Sequence, residues 1–236
     1  MIETRGLTKR FRRFVALRDV SFDVTPGRIT GVIGPNGSGK STLIKCLVGL
    51  ARPSEGVILY DGRLPDAAGQ YRRRIGYMPQ AATFPQDLTG REVIDLVVRL
   101  RGERPASGGA LLERFGLHAH LDKRVRTLSG GTRQKLSAAV AALYDPAVLI
   151  LDEPTAGLDP GASRVLKEHV LERKGEGRAV LLTTHIIGDL EELADDVVLL
   201  LDGAVQFAGS VRELKLATGS PYLEAAVAQM LARGAA

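Results

Sequence analysis

Short apolar runs alternate along most of the chain with segments in which apolar residues recur at helical spacing. Three of the runs are typical of strands buried on both faces of a sheet. They are residues 29–33, 147–151 and 179–184. Helical spacing is found at residues 42–48, 132–144 and 161–174. Strands that alternate with helices in this way predict an α/β fold with a mostly parallel core sheet and crossover helices.

The first 33 residues follow a different pattern, in which polar and apolar positions alternate. Residues 2–7 and 20–24 show this alternation, and a turn at residues 25–28 separates them from the following apolar run. The pattern is typical of antiparallel strands with one solvated face, and we expect about three of them before the first buried strand ends. Two further short strands are expected at residues 57–62 and 75–80.

A helical insert is expected in the middle of the chain. Helical spacing covers residues 89–101 and 109–115, and a connection that contains Gly and Pro joins them. We therefore expect a single domain over residues 1–236, with a helical subdomain at about 85–145. The Ala-rich residues at about 211–236 form a short helical tail that is too small for a second domain.

Composition and charge narrow the class of protein only a little. The chain has 236 residues, 44% of them hydrophobic, and a net charge of +5. Basic clusters lie at residues 9–13 and 72–74, but acidic residues are interspersed throughout and Trp is absent, so we expect no nucleic acid as partner. No apolar run approaches the roughly 18–20 residues that span a bilayer, and no signal-peptide core is present. We therefore expect a cytosolic chain whose single Cys46 forms no internal disulfide.

A phosphate-binding motif with the pattern G-x-x-x-x-G-K-[ST] follows the first buried strand. It comprises Gly34, Pro35, Asn36, Gly37, Ser38, Gly39, Lys40, Ser41 and Thr42. The glycines let successive backbone N–H groups point at an anion, Lys40 supplies a positive charge for the outer phosphates, and Ser41 can hold Mg²⁺. The positive end of the following helix adds to this field. The sequence therefore predicts a nucleotide polyphosphate site.

Two carboxylates end the second buried strand. Asp152 and Glu153 follow apolar residues 148–151 at the carboxyl end of the strand, where ligands bind in open α/β sheets. We expect Asp152 to bind Mg²⁺ and Glu153 to orient and deprotonate an attacking water. A second carboxylate beside the metal-binding residue favours hydrolysis, so a small-molecule kinase is a weaker alternative.

A second anion-binding turn precedes the helix expected at residues 132–144. Ser129 is a candidate N-cap, and Gly130 and Gly131 leave backbone N–H groups exposed. The phosphate loop does not need this turn. In its order with the other two motifs, L-S-G-G-T resembles the L-S-G-G-Q signature of the ATP-binding subunits of ABC transporters, with Thr132 in place of the final Gln.

The resemblance covers nearly the whole chain and implies further site residues. Gln80 matches the glutamine that in this family reaches Mg²⁺ and the water and communicates with the membrane subunit, and His185 matches the switch histidine. Asp159 lies in a segment that looks like the D-loop. Phe11 lies where the family places an aromatic ring that stacks on adenine, and Phe14 is its rival for that role.

The family resemblance also implies a head-to-tail homodimer with ATP and Mg²⁺ as cofactors. Each ATP would lie between the phosphate loop of one subunit and the signature turn of the other, where Ser129 and the amides of Gly130 and Gly131 cap the γ-phosphate. The residues expected to bind Mg²⁺ are Ser41, Gln80 and Asp152. The residues expected to act in catalysis are Glu153, His185 and Gln80.

The resemblance implies integral membrane permease subunits as partners, docked on the helical insert and the Gln80 loop. The chain would then lie peripherally on the cytoplasmic face of the inner membrane, and a periplasmic accessory protein is a further partner to expect. Residues 155–160 are similar to the pattern of exporter-type systems. Residues 128–136 resemble the ATPase of the transporter that supports copper-site assembly in nitrous oxide reductase.

Two other classes of function fit the sequence less well. A GTPase reads guanine with Asn-Lys-x-Asp, but the single asparagine of the chain is Asn36, inside the phosphate loop. A non-transport ABC ATPase that acts on nucleic acid or the ribosome is the stronger alternative. Repair members of that kind carry long coiled coils between the phosphate loop and the signature, and the segment from Lys40 to Ser129 is too short to hold them.

Overall fold

The strands form two sheets in a computed structural model that describes residues 1–105 and 109–234. Residues 106–108, in the connection expected between two helices, and residues 235–236 of the expected tail lie outside the described residues. The strands are β1 (Ile2–Phe11), β2 (Phe14–Val24), β3 (Ile29–Ile33), β4 (Glu55–Tyr60), β5 (Ile75–Met78), β6 (Val148–Asp152), β7 (Ala179–Thr183), β8 (Asp196–Leu201) and β9 (Ala204–Ser210). The helices are α1 (Lys40–Leu47), α2 (Gly90–Arg101), α3 (Ala110–Arg114), α4 (Gly130–Ala142), α5 (Pro160–Gly175), α6 (Ile187–Leu193), α7 (Val211–Thr218) and α8 (Leu223–Gly234).

The smaller sheet has the strand order β2-β1-β4, and both of its pairs are antiparallel. The expectation of about three antiparallel strands before the phosphate loop is wrong, because only β1 and β2 precede it in this sheet. The third strand, β4, follows α1 and returns to pair with β1. Alternation along one segment marks it as a strand, but it does not reveal which segment later in the chain supplies the partner.

The larger sheet has the order β5-β6-β7-β3-β8-β9 and is parallel except for β9, which pairs antiparallel with β8. The mostly parallel core sheet expected from the buried runs is therefore present. In β6 and β7, neighbouring residues enter opposite clusters of the core: Ile150 and Leu181 face α1 and the smaller sheet, whereas Leu151 and Leu182 face the helices on the other side. Burial on both faces explains why these strands have almost no polar residues.

The helices between β5 and β6 enclose a core cluster of their own. Leu112, Leu117 and Leu136 are buried there, on α3, on the 3₁₀ turn that follows it and on α4.

Two helix starts matter for function: Ser129 caps α4 by accepting a hydrogen bond from the backbone N–H of Thr132, and a side-chain cap also begins α5. Among the described residues, no helix is long and apolar enough to cross a membrane.

Candidate nucleotide-binding site

The carboxyl ends of four neighbouring strands meet at one edge of the larger sheet. The phosphate loop follows β3, Gln80 follows β5, Asp152 ends β6 and His185 follows β7. Because these strands are parallel, their carboxyl ends face the same side, and motifs that are far apart in the sequence come together.

Glycine is required at two positions of the phosphate loop. Gly39 has a φ of +107°, and a Cβ atom there would lie 2.7 Å from the carbonyl oxygen of Ala16. A Cβ atom on Gly34 would lie 2.1 Å from the carbonyl oxygen of Leu200. The loop is therefore packed so closely on β2 and β8 that side chains do not fit at these two positions.

Lys40 begins α1 and its ammonium group bends back across the phosphate loop. Its Nζ donates hydrogen bonds to the carbonyl oxygens of Gly34, at 2.6 Å, and Pro35, at 3.0 Å. Partial burial lowers the pKa of Lys40 below its ordinary value, and the negative charges of Glu153 and Asp152 oppose this change. The ammonium group of Lys40 and the carboxylates of Asp152 and Glu153, at the end of β6, thus share one electrostatic environment.

Asp152 is held by a threonine on the neighbouring strand. It is 6% exposed, and its Oδ1 accepts a hydrogen bond of 2.6 Å from Thr183 Oγ1, which follows from the pairing of these two residues in β6 and β7. Burial raises the pKa of Asp152, the Thr183 hydroxyl lowers it and the charge of Glu153 raises it further. A bound cation would favour the ionised form of this carboxyl group.

Glu153 and His185 are in direct contact. Glu153 Oε2 lies 2.8 Å from His185 Nδ1 and accepts a longer bond, 3.3 Å, from the backbone N–H of His185. Glu153 is buried and has a φ of +51°, which is strained for a residue other than glycine. The His185 side chain is 69% exposed, so the pair joins a buried carboxylate to an imidazole that faces solvent.

A cleft of about 310 Å³ opens at this edge of the sheet. It is lined by Phe14, Ala16, residues 36–42 except Ser38, Gln80, Asp152 and Glu153. The structure therefore brings the phosphate loop together with Gln80 and the two carboxylates, as expected.

The aromatic ring at this cleft is Phe14 and not Phe11, the residue favoured on the family resemblance. Phe11 does not line the cleft, and the ammonium group of Lys9 lies 4.7 Å from the centre of its ring. Phe11 and Phe14 are cross-strand partners at the end of the β1–β2 hairpin. The register of that hairpin, which the sequence alone did not reveal, decides which ring faces the phosphate loop.

The signature turn does not line this cleft. Ser129 Oγ lies 2.8 Å from Thr132 Oγ1, so the residue that replaces the usual Gln is in contact with the signature serine. A Cβ atom on Gly131 would lie 3.1 Å from the carbonyl oxygen of Gly157, whereas Gly130 has open space around it. The turn therefore lies beside the D-loop-like segment, with its first glycine uncovered.

The sequence profile described as ABC transporter matches residues 17–156, more than half of the chain. The chain belongs to the ABC transporter family. It is an ABC ATPase domain, and the α/β fold expected from the sequence is confirmed by solved structures of such domains.

Two relatives of this ABC cassette differ greatly in length. The daunorubicin resistance ATP-binding protein DrrA3 of Streptomyces coeruleorubidus is 38% identical over 240 residues, which cover 100% of this chain and 76% of that protein. ATP-binding cassette sub-family A member 7 of Rattus norvegicus is 38% identical over 228 residues, which cover 92% of this chain and 10% of that protein. The chain therefore spans about a tenth of the rat protein.

Solved structures of ABC cassettes share the fold over almost the whole chain. An ATP-binding subunit of an ABC transporter has a TM-score of 0.92 and 33% identity, with 98% of this chain and 99% of that chain covered. The dimeric structure of a bacterial ABC transporter cassette has a TM-score of 0.80 and 25% identity, with 89% of this chain and 98% of that chain covered.

Several side chains of this ABC cassette that hold the site together were not foreseen. Thr183 holds Asp152, and Lys135 Nζ lies 2.8 Å from Asp159 Oδ2, so that the helix of the signature turn is tied to the N-cap of α5. Asp159 itself caps α5 by accepting a hydrogen bond of 2.8 Å from Ala162 N–H. Pairing in the sheet points to Thr183 once the strand order is known, but nothing in the local sequence identifies Lys135 as a partner of Asp159.

Proposed function

We propose that this ABC cassette hydrolyses ATP to power transport through separate membrane permease subunits. The observation that carries the proposal is the separation of two phosphate-binding turns within one protomer. The phosphate loop lines the cleft, whereas the exposed turn at Ser129 and Gly130 lies outside it. A second copy related by a two-fold axis would bring its turn to the first copy's cleft and complete two equivalent sites. A solved cassette of similar fold is dimeric, which supports association of two copies.

The oxygen donors beside the phosphate loop fit Mg²⁺. Ser41, Gln80 and Asp152 line the cleft and offer hydroxyl, amide and carboxylate oxygens, which are the hard ligands that Mg²⁺ prefers. Asp152 is buried against one hydroxyl donor, so a cation would offset the cost of burying its charge. When bound, Mg²⁺ would supply neutralisation of charge on the phosphate oxygens.

The protein groups have distinct roles in the proposed hydrolysis. Lys40 and the amides of the phosphate loop bind the phosphates, and the ring of Phe14 stacks on adenine. Glu153 accepts the proton of the attacking water, because its carboxylate lines the cleft and is fixed in place by His185. His185 is exposed enough to contact the γ-phosphate while it holds Glu153.

A docking surface for the permease is proposed on α2 and the segment before it. Leu96 and Leu100 are exposed apolar side chains, and a groove beside them is lined by Leu88, Glu92 and Arg99. This segment follows Gln80 directly, so a change in the nucleotide cleft has a short covalent route to the surface. The chain would then bind at the cytoplasmic face of the inner membrane.

Export is the direction we propose for the transporter. The D-loop-like segment supports it, and so does the similarity to DrrA3, whose name refers to resistance to daunorubicin. A role in copper-site assembly for nitrous oxide reductase stays a prediction from the signature segment alone. A periplasmic accessory partner likewise stays a prediction.

The composite site can be tested with the Glu153→Gln variant of the full chain. With MgATP this variant should elute as a dimer, because ATP is bound but not hydrolysed. Ser129→Arg in the same background should bind ATP and stay monomeric, whereas Lys40→Ala should lose both ATP binding and dimerisation. If Glu153→Gln with MgATP stays monomeric both alone and in detergent extract that contains its membrane partner, the proposal is refuted.

The transport role has a separate test. Affinity capture of the tagged chain from detergent-solubilised membranes should recover an integral membrane protein. Recovery of nucleic acid without any integral membrane protein would instead support the alternative of a non-transport ABC ATPase.

A further inference from the structure

A buried aspartate on α6 contacts the segment that follows the catalytic carboxylate. Asp189 is 8% exposed, and its Oδ2 accepts a hydrogen bond of 2.7 Å from Thr155 Oγ1. Its Oδ1 lies 2.7 Å from Lys167 Nζ, which is on α5. Both oxygens of this carboxylate are therefore used by residues of other elements.

The contact joins two segments that are already joined at one point. The segment after β6 carries Glu153 and, two residues later, Thr155. The segment after β7 carries His185 and, four residues later, Asp189. Because Glu153 contacts His185 at 2.8 Å and Thr155 contacts Asp189 at 2.7 Å, the two segments are held to each other at two positions. The second contact prevents the two segments from rotating about the Glu153–His185 contact, which a single contact would allow.

The backbone around the catalytic carboxylate needs such support. Glu153 has a positive φ, and a residue in that conformation persists only where its surroundings hold it. The backbone N–H of Glu153 is held by the carbonyl and hydroxyl oxygens of Thr183. After it, Ala156 and Leu158 form only short turn hydrogen bonds within the same segment, to the carbonyl oxygens of Glu153 and Thr155. The hydrogen bond from the Thr155 side chain to Asp189 is the contact that fixes this turn to the segment after β7.

We propose that Asp189 is a positioning residue, which through Thr155 fixes the segment that carries Glu153 relative to the segment that carries His185. The inference rests on the proposed function, since it assigns a role in the hydrolysis of ATP. Asp189 does not line the nucleotide cleft, and its carboxylate oxygens bond to Thr155 and Lys167, so it acts on the rate of hydrolysis through the placement of Glu153. It also connects the D-loop-like segment with α6, so that movement of either one is passed to the other.

Capping of α6 does not account for the buried carboxylate. The N-cap of that helix is Ile186, which provides no side-chain cap, and the Asp189 oxygens point at Thr155 and Lys167. Lys167 has a second carboxylate partner, Glu192, at 2.6 Å. Lys167 therefore stays paired when Asp189 is replaced, and Glu192 provides a matched control on the same helix.

The experiment measures kcat and KM for MgATP with the purified full chain. Thr155→Val keeps the shape of the side chain and removes the hydroxyl, and Asp189→Ala removes the acceptor. Each should lower kcat about tenfold, the lower range for a lost hydrogen bond to a charged group, while KM changes less than about threefold. Thr155→Ser should restore kcat to within about twofold, and Glu192→Gln should leave both constants unchanged.

The kcat of the double variant, compared with the two single variants, is a second measurement. If Thr155 and Asp189 act as a pair, the double variant Thr155→Val/Asp189→Ala should be no slower than the slower single variant. If Asp189→Ala does not fold, Thr155→Val and Thr155→Ser still decide the question. A kcat of Thr155→Val within about twofold of the unaltered chain overturns the inference and leaves the proposed function standing. Failure of the unaltered chain to hydrolyse MgATP, both alone and in detergent extract that contains its membrane partner, overturns the proposed function, and the inference with it.

Discussion

Replacing Thr183 by Val tests how much the Thr183 hydroxyl stabilises the buried, ionised carboxylate of Asp152. The Thr183 hydroxyl donates to Asp152 Oδ1 at 2.6 Å and accepts from the Glu153 backbone N–H at 3.1 Å. Thr183 is fully buried, and Val is branched at Cβ in the same way, so Thr183→Val removes these bonds without creating a cavity. The Glu153 N–H keeps its other acceptor, the backbone carbonyl of Thr183, also at 3.1 Å. The main loss is therefore the hydrogen bond to the carboxylate.

The kind of hydrogen bond that is lost determines how much stability Thr183→Val loses. A hydrogen bond to a charged group contributes about 1.5–3 kcal/mol, so Thr183→Val should lower the free energy of unfolding by roughly 2 kcal/mol near neutral pH. Thr183→Ser is the control, because it keeps the hydroxyl and loses one buried methyl group, which costs about 1 kcal/mol. Urea denaturation of the full chain measures both, and an unchanged m-value shows that the same surface unfolds.

The dependence on pH separates the lost hydrogen bond from altered packing. Burial raises the pKa of Asp152 and the Thr183 hydroxyl lowers it, so the pKa rises further in Thr183→Val. A carboxyl group with a raised pKa stabilises the fold below its unfolded pKa, and this contribution is lost as pH rises through the folded pKa. The loss of unfolding free energy in Thr183→Val should therefore shrink as pH falls from neutral towards the ordinary pKa of an aspartate, about 4, whereas that in Thr183→Ser should not change. If the loss of unfolding free energy is the same in both variants, or if the loss in Thr183→Val does not vary with pH, the reasoning is refuted.

Three further predictions concern the nucleotide site. Glu153→Gln should lower kcat about 10²- to 10⁴-fold, as for a lost general base, with ATP affinity by calorimetry nearly unchanged; normal hydrolysis would remove Glu153 from its role. Phe14→Ala should weaken binding of fluorescent ATP about 5- to 100-fold, the range for a stacked base, and Phe11→Ala should not; the reverse result would restore Phe11 as the stacking residue. Thr132→Val should weaken the ATP-dependent dimer in sedimentation, because Ser129 loses its hydroxyl partner, while Thr132→Ser should not; equal dimerisation would show that this contact is without effect.

The parts of the fold that the sequence predicts well are those with strong periodic patterns. The buried runs at β3, β6 and β7 were recognisable because strands covered on both faces exclude polar residues. Three elements near the end of the core, α6, β8 and β9, were not foreseen. In α6 the run is only seven residues long, and in β9 the residues alternate weakly and remain partly exposed. The positions of α6 and β9 follow from tertiary packing, which local patterns do not contain, whereas β8 is a buried apolar run of the same kind as β6 and its pattern could have predicted it.

The candidate site shows a similar division. The phosphate loop, Asp152 and Glu153 were found from their own chemistry, since each motif combines special residues with a strand end. The contacts that hold them were not, because Thr183 and Asp189 are ordinary polar residues until the sheet brings them beside Asp152 and Thr155. Sequence motifs thus identify the groups that touch a ligand better than the groups that fix them.

The contacts within one protomer indicate where ATP can exert control in the proposed dimer. The buried bond between Asp152 and Thr183 and the contact between Glu153 and His185 exist in a single chain, so the half of the site that we propose activates water is assembled before a second copy binds. What is missing from the cleft is the turn at Ser129. If a second copy supplies that turn, closure adds donors to the terminal phosphate, and its hydrolysis removes the group that both copies bind. Under the proposed function, ATP binding therefore brings two chains together and hydrolysis lets them separate. A permease subunit docked on each chain can move with it.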